Sequence, residues 1–156
     1  MNPMQNDLII GGSQEKTAIR KLVDRLVEAS LPAAVRNRSF IVNEIPENLL
    51  FQNSDENMVA SVVSGMLHAV LNNAKESCVR ISAKEIHDGK TMQVFVKDTG
   101  CFSSFALACD LQNVFPIAEK LGGYLSIATE KQNHTTITFN FPLQPALPRT
   151  ITEFFG

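Results

Sequence analysis

Apolar residues at Ile19, Leu22, Val23, Leu26 and Val27 recur at helical spacing, which predicts a first helix with Thr17 placed to cap its start. Pro32 is expected to kink or end it, although the small residues Ala33 and Ala34 let a short continuation pack closely. Phe40-Ile41-Val42 reads as a short strand, and Ile45-Pro46-Glu47-Asn48 as a turn into a second, Leu49-Leu50-Phe51. Asp55 then stands as N-cap ahead of Met58, Val59, Val62, Val63, Met66, Leu67, Val70 and Leu71. These pairs describe a central buried helix of about five turns with a wide apolar face. Its polar members Ser61, Ser64, Gly65 and His68 are candidates to look into a groove.

Val79, Ile81 and Ala83 alternate with polar neighbours and pair with the Met92–Lys97 strand across an Asp88-Gly89 turn. Leu107, Leu111, Val114, Ala118 and Leu121 mark a third helix, interrupted at Pro116 and ended by Gly122-Gly123. Tyr124–Thr129 and Thr135–Phe141 alternate as a last hairpin with Lys131–His134 as its loop. Helix, two strands, helix, two strands, helix, two strands predicts an α+β two-layer sandwich: one mixed sheet with all three helices on one face.

With 156 residues and 44% hydrophobic content, the chain has enough apolar material for one domain with a real core. Residues 1–16 read as a linker or flexible N-terminus, 17–143 as the domain, and 144–156 as a tail. Ile151, Phe154 and Phe155 in that tail are expected either to cover a pocket or to pair with another subunit. A net charge of −2 gives no electrostatic footprint for nucleic acid. No apolar run is long enough to span a bilayer and no secretion signal opens the chain, so a soluble, cytoplasmic setting without membrane insertion is expected. Cys78, Cys101 and Cys109 suit neither a disulfide framework nor a zinc ribbon, and reduced, mostly buried thiols are the expectation.

The candidate chemistry lies where the Met92, Val94, Val96 strand stops at Asp98-Thr99-Gly100. A buried strand that ends in a carboxylate and a glycine is either a plain turn or a place where backbone approaches a ligand. His68 is expected at a helix surface, His87 and His134 in exposed hairpin loops, and Cys101 as a packing thiol. Arg20, Lys21 and Arg25 are offset by Asp24 and Glu28, which favours a solvated face over an anion site. The Cys101–Pro116 segment holds no Lys or Arg and no glycine-rich loop, so nothing there would stabilise a transferring phosphate.

From about Arg20 to Leu143 the sequence resembles the ATP-binding domain of sensor histidine kinases, in the GHKL (Bergerat-fold) superfamily. The resemblance rests on Phe40–Asn48, on Asp55 opening the central helix, on Val96-Lys97-Asp98-Thr99-Gly100, on Ile117–Gly123, and on the closing strand Thr135–Leu143. It implies that Asp98 accepts a hydrogen bond from an adenine amino group, that Gly100 lets the backbone near the base, and that Thr135 supports it.

The departures are as specific as the matches. The family's Mg²⁺-holding asparagine falls on Ala69, its companion on Gly65, and sliding the alignment to Asn73 would displace the ligand by roughly 6 Å along the helix. Phe102 replaces the second glycine of the first glycine box, and the lid shrinks to Cys101–Ala106. The later glycine motif falls on Ala108-Cys109-Asp110-Leu111, with Asp110 expected at a helix N-terminus where an anion would sit. The resemblance therefore implies a degenerate domain with no catalytic or metal residues and no cofactor, serving two-component signalling by binding a receiver domain, a kinase or itself. The alternative is a working domain of a divergent histidine kinase that takes ATP and Mg²⁺.

Overall fold

The computed structural model describes residues 15–100, 103–130 and 134–143. Over these the chain runs β1 (Lys16–Ala18), α1 (Ile19–Arg36), β2 (Phe40–Asn43), β3 (Leu50–Gln52), α2 (Glu56–Asn73), β4 (Cys78–Ile86), β5 (Thr91–Asp98), α3 (Ser104–Asp110), α4 (Phe115–Lys120), β6 (Tyr124–Glu130) and β7 (His134–Pro142). The main sheet has five strands in the order β2-β4-β5-β7-β6. β2 and β4 are parallel and the other pairs antiparallel, so the sheet is mixed, with the helices on one face.

Alternation decides which face is covered. Met92, Val94 and Val96 of β5, Val79 and Ile81 of β4, and Ile137, Phe139 and Phe141 of β7 are all buried. Against them lies α2, whose Val59, Val62, Val63, Met66, Leu67, Val70 and Leu71 are each within 1% of full burial. Ile19, Leu22 and Val23 bring in α1. Phe51 of β3 reaches this core edge-to-face with Phe141, ring centroids 6.1 Å apart, and Phe141 stacks on Phe139 at 4.9 Å.

Several local expectations are corrected. Thr17 does not cap α1, because Lys16–Ala18 pairs antiparallel with β3 in a separate two-stranded ribbon. The first helical donor, the Ile19 N–H, is met by the Leu49 carbonyl at 3.0 Å, and the Thr17 hydroxyl donates to Asn53 Oδ1 at 2.7 Å. The Leu49–Phe51 run thus belongs to that ribbon and not to the main sheet. Pro32 does not end α1: the helix continues to Arg36, since the carbonyl that loses its donor belongs to exposed Glu28 and water can reach it. The expected third helix is two short ones, α3 and α4. Pro116 sits in the first turn of α4, where its missing N–H costs nothing, instead of inside a longer helix that it could not continue.

Among the described residues two thiols are free: Cys78 is half-buried, and Cys109 is exposed on α3, against the expectation of burial. Cys101, the N-terminal stretch to residue 14, residues 131–133 of the last hairpin loop and the tail with Phe154 and Phe155 lie outside the described residues. No helix among the described residues is long and apolar enough to cross a membrane.

Candidate functional site

β5 alternates its buried side chains toward the helices, and this parity carries Asp98 inward at the strand's end, where it is 2% exposed. Asp98 Oδ2 accepts the Gly100 N–H at 2.7 Å, closing an Asx turn. Asp98 Oδ1 accepts the Ser77 hydroxyl, also at 2.7 Å. In the ladder Asp98 faces Thr135 of β7, and the Thr135 hydroxyl donates to the Gly100 carbonyl at 2.8 Å. Asp98, Gly100 and Thr135, three residues singled out in the sequence, therefore meet in one hydrogen-bonded cluster.

Ser77 completes that cluster and was missed. The signal for it was available: extending the β4–β5 register two residues past the Val79–Asp98 pair puts Ser77 opposite Gly100. Each Asp98 oxygen already accepts one bond from the protein, and a carboxylate has further lone pairs to offer. The cluster can hold its own turn as it stands, and a donor from a base would add to those bonds.

The middle of α2 is built differently. Ala69 is 1% exposed, and a Cβ built on Gly65 would overlap the Val114 side chain at the start of α4. Glycine is used here for close approach, so that α4 can seat directly on α2. Leu107 and Leu111 are fully buried and Val114 nearly so, which draws the α3–α4 segment onto the same core. Neither Gly65 nor Ala69 carries a side-chain oxygen, so these two positions do not fit Mg²⁺, a hard cation that takes oxygen ligands. Among the described residues no group of three or more His, Cys, Asp and Glu is arranged to hold a metal.

Asn73, one turn further on, is committed within the protein: its Nδ2 donates to the Ala69 carbonyl at 2.7 Å and to Asp110 Oδ2 at 3.1 Å. Asp110 ends α3 and does not begin a helix, so the expected charge at a helix N-terminus is corrected to a carboxylate at a helix C-terminus. Ser103 caps α3 instead, accepting the Ala106 N–H at 3.2 Å. Of the polar residues of α2 offered to a groove, Ser61 and His68 face solvent, Ser64 is half-buried, and Gly65 is spent on Val114. His87 and His134 are exposed as expected.

No protein-family model and no curated protein sequence matches the chain. Solved structures do. Acinetobacter baumannii histidine kinase AdeS superposes with a TM-score of 0.70 at 11% identity, over 84% of this chain and 68% of that one. The nucleotide-free catalytic domain of histidine kinase ThkA gives 0.68 at 11% identity, over 84% and 97%. ThkA in complex with the response regulator protein TrrA gives 0.67 at 13% identity, over 89% and 46%. At such identities the likeness speaks for the fold: this chain has the fold of the histidine-kinase catalytic, ATPase-like domain.

Proposed function

We propose that the chain is a degenerate histidine-kinase ATPase-like domain that acts as a protein-interaction or regulatory module in two-component signal transduction, in the cytoplasm, without hydrolysing ATP. The observation that carries this reading is the seating of Val114 on Gly65, next to buried Ala69. In the family resemblance those two α2 positions would face metal and phosphate, and here they are occupied by apolar packing. Positive charge and metal are what phosphoryl transfer requires, and the α3–α4 segment brings neither a lysine nor an arginine before Lys120. The class of partner is suggested by ThkA, whose structure was solved with a response regulator. A receiver domain, a kinase or a second copy of the chain are the partners we propose.

The second reading, an ATP-binding domain of a divergent kinase, is favoured by one observation: Asp98, Gly100 and Thr135 are brought together as a base pocket would need them. Calorimetric titration with ATP, with and without Mg²⁺, and with adenosine separates the two. The expected result is no MgATP binding tighter than about 100 μM, roughly −5.5 kcal/mol. MgATP held more tightly than that, and more tightly than adenosine, would overturn the degenerate reading in favour of the second.

A further inference from the structure

β2 lies at one edge of the main sheet, and among the described residues no strand pairs with its far side. Backbone groups alternate along a strand, and here the Phe40 N–H donates to the Ser77 carbonyl at 2.9 Å and the Glu44 N–H to the Ile81 carbonyl at 2.8 Å. Even-numbered residues are thus taken up by β4, and the N–H and C=O of Ile41 and Asn43 point out of the sheet. A row of this kind is a template for another strand, and proteins commonly guard it with lysine or proline. β2 carries neither: its exposed side chains are Phe40, at 73%, and Val42.

The apolar surface continues onto α1. Asn43 Nδ2 donates to the Arg20 carbonyl at 3.2 Å and to Asp24 Oδ1 at 2.8 Å, and Arg20 Nη1 donates to the Ile45 carbonyl at 2.8 Å, which fixes the side of α1 that meets β2. Leu31 and Val35 follow Asp24 at helical spacing on the same stripe. Both are exposed, Val35 at 72%. The chain turns back after Arg36, with the Ser39 N–H donating to the Ala34 carbonyl at 2.9 Å, so Phe40 lies toward that end of the helix. Leu31, Val35, Phe40 and Val42 therefore share one edge of the molecule.

The two ends of this edge differ in sign. Arg36 and Arg38 precede β2, Glu44 and Glu47 follow it, and all four are exposed. Arg38 pairs with Glu76 at 3.4 Å and Glu44 with Arg80, both at exposed positions where an ion pair contributes little and exchanges readily. A second copy laid antiparallel brings base to acid at both ends at once, whereas a parallel one would set like charges side by side. With Ile41 opposite Ile41 of the second copy, the register sets Phe40 opposite Val42, Ser39 opposite Asn43 and Arg38 opposite Glu44, each pair repeated by the two-fold axis. We propose that the free edge of β2 pairs antiparallel with β2 of a second copy of the chain, joining two five-stranded sheets into one. The inference rests on the reading of the chain as an interaction module and selects a second copy from the partners given there.

Sedimentation equilibrium of the full chain over roughly 20 μM to 1 mM is the test, because an edge of four residues makes a small, transient interface with a Kd on the order of 100 μM. Over the same range, hydrogen exchange at the Ile41 and Asn43 amides should slow while the Phe40 amide, already bonded to Ser77, keeps its rate. Val42→Lys, at an exposed position, should weaken the dimer about tenfold or more. Arg38→Glu should weaken it about threefold, and Arg38→Glu combined with Glu44→Arg should restore it. A chain that is monomeric throughout, a dimer that survives Val42→Lys, or a double variant no tighter than Arg38→Glu alone would overturn the proposal. A monomeric chain that also fails to bind MgATP would overturn the self-pairing alone and leave the interaction-module reading with a receiver domain or a kinase as partner.

Discussion

The Asp98 turn and the middle of α2 are both positions at which the family resemblance expects nucleotide, and they are built by opposite means. At the turn, Ser77, Asp98, Gly100 and Thr135 meet one another donor to acceptor, in a buried polar cluster. On α2, Gly65 takes the Val114 side chain and Ala69 is buried, and neither position carries a polar side-chain atom. The difference bears on what a retained residue can tell. Asp98 has work within the fold, closing a turn and receiving the Ser77 hydroxyl, so its presence would follow whether or not a base is bound. Gly65 and Ala69 make no such polar contact, and Gly65 serves instead to let Val114 approach α2.

The largest effect expected from this contrast comes from Asp98→Ala. It strips the acceptor from two half-buried donors, the Ser77 hydroxyl and the Gly100 N–H, and leaves Asp98's own buried place empty, which together should cost about 3 kcal/mol in urea unfolding. Asp98→Asn keeps one acceptor oxygen in the same shape and should cost about 1 kcal/mol. Were Asp98→Ala to leave stability within about 0.5 kcal/mol, the scale of an ordinary surface change, the carboxylate would be there for a ligand and the contrast would fail. This outcome also governs the nucleotide question: Asp98→Asn is the safer variant for it, because the alanine variant confounds lost binding with lost fold.

Next in size is Ala69→Asn, which puts the family's residue back at its place. The site is closed, so the amide should be buried without partners and cost about 2 kcal/mol, with no gain in Mg²⁺-dependent ATP binding by calorimetry. Gly65→Ala should cost less, about 1 kcal/mol, because overpacking against Val114 is partly offset by the better helix propensity of alanine. A stabilised Ala69→Asn variant that binds MgATP would show that α4 swings away from α2 easily, and would remove the apolar half of the comparison.

Much of this was legible in the residues, and the parts that were not share a cause. The β4–β5 hairpin follows from strict alternation on both sides of Asp88-Gly89, and α2 from paired apolar residues over its whole length. The meeting of Asp98 with Thr135 came by way of the family resemblance, since nothing local in either strand announces the other. The ribbon of β1 with β3 escaped because three residues a side carry too little alternation to distinguish strand from helix start, and Thr17 is a good cap by type. Gly65 was readable as a departure from the family but not as a seat for Val114, because close approach between segments far apart in sequence leaves no periodic trace. Asn140 was equally silent: it falls on the outward parity of β7, where an asparagine is ordinary, yet it is buried.

The smallest expected effect tests whether the start of α2 follows the rule of the polar turn or of the apolar middle. Asp55 holds the N-cap position but makes no side-chain cap bond, and burial pushes its carboxyl above the ordinary aspartate value. The helix N-terminus works the other way, favouring the charged form, so the direction of the shift says which influence is larger. With the folded value raised, the folded chain takes up this proton at higher pH than the unfolded chain. Its relative stability is then fully present below the unfolded value and is lost as pH rises through the folded one. Asp55→Asn carries no such proton, so wild type should lose ground to it between pH 3 and pH 7, by no more than about 0.5 kcal/mol at this partly exposed site. Carboxyl-carbon NMR should place the Asp55 midpoint above the usual value of about 3.9. A midpoint below that value would mean that the helix end outweighs burial, and that α2 begins, like the Asp98 turn, by stabilising a charged carboxylate.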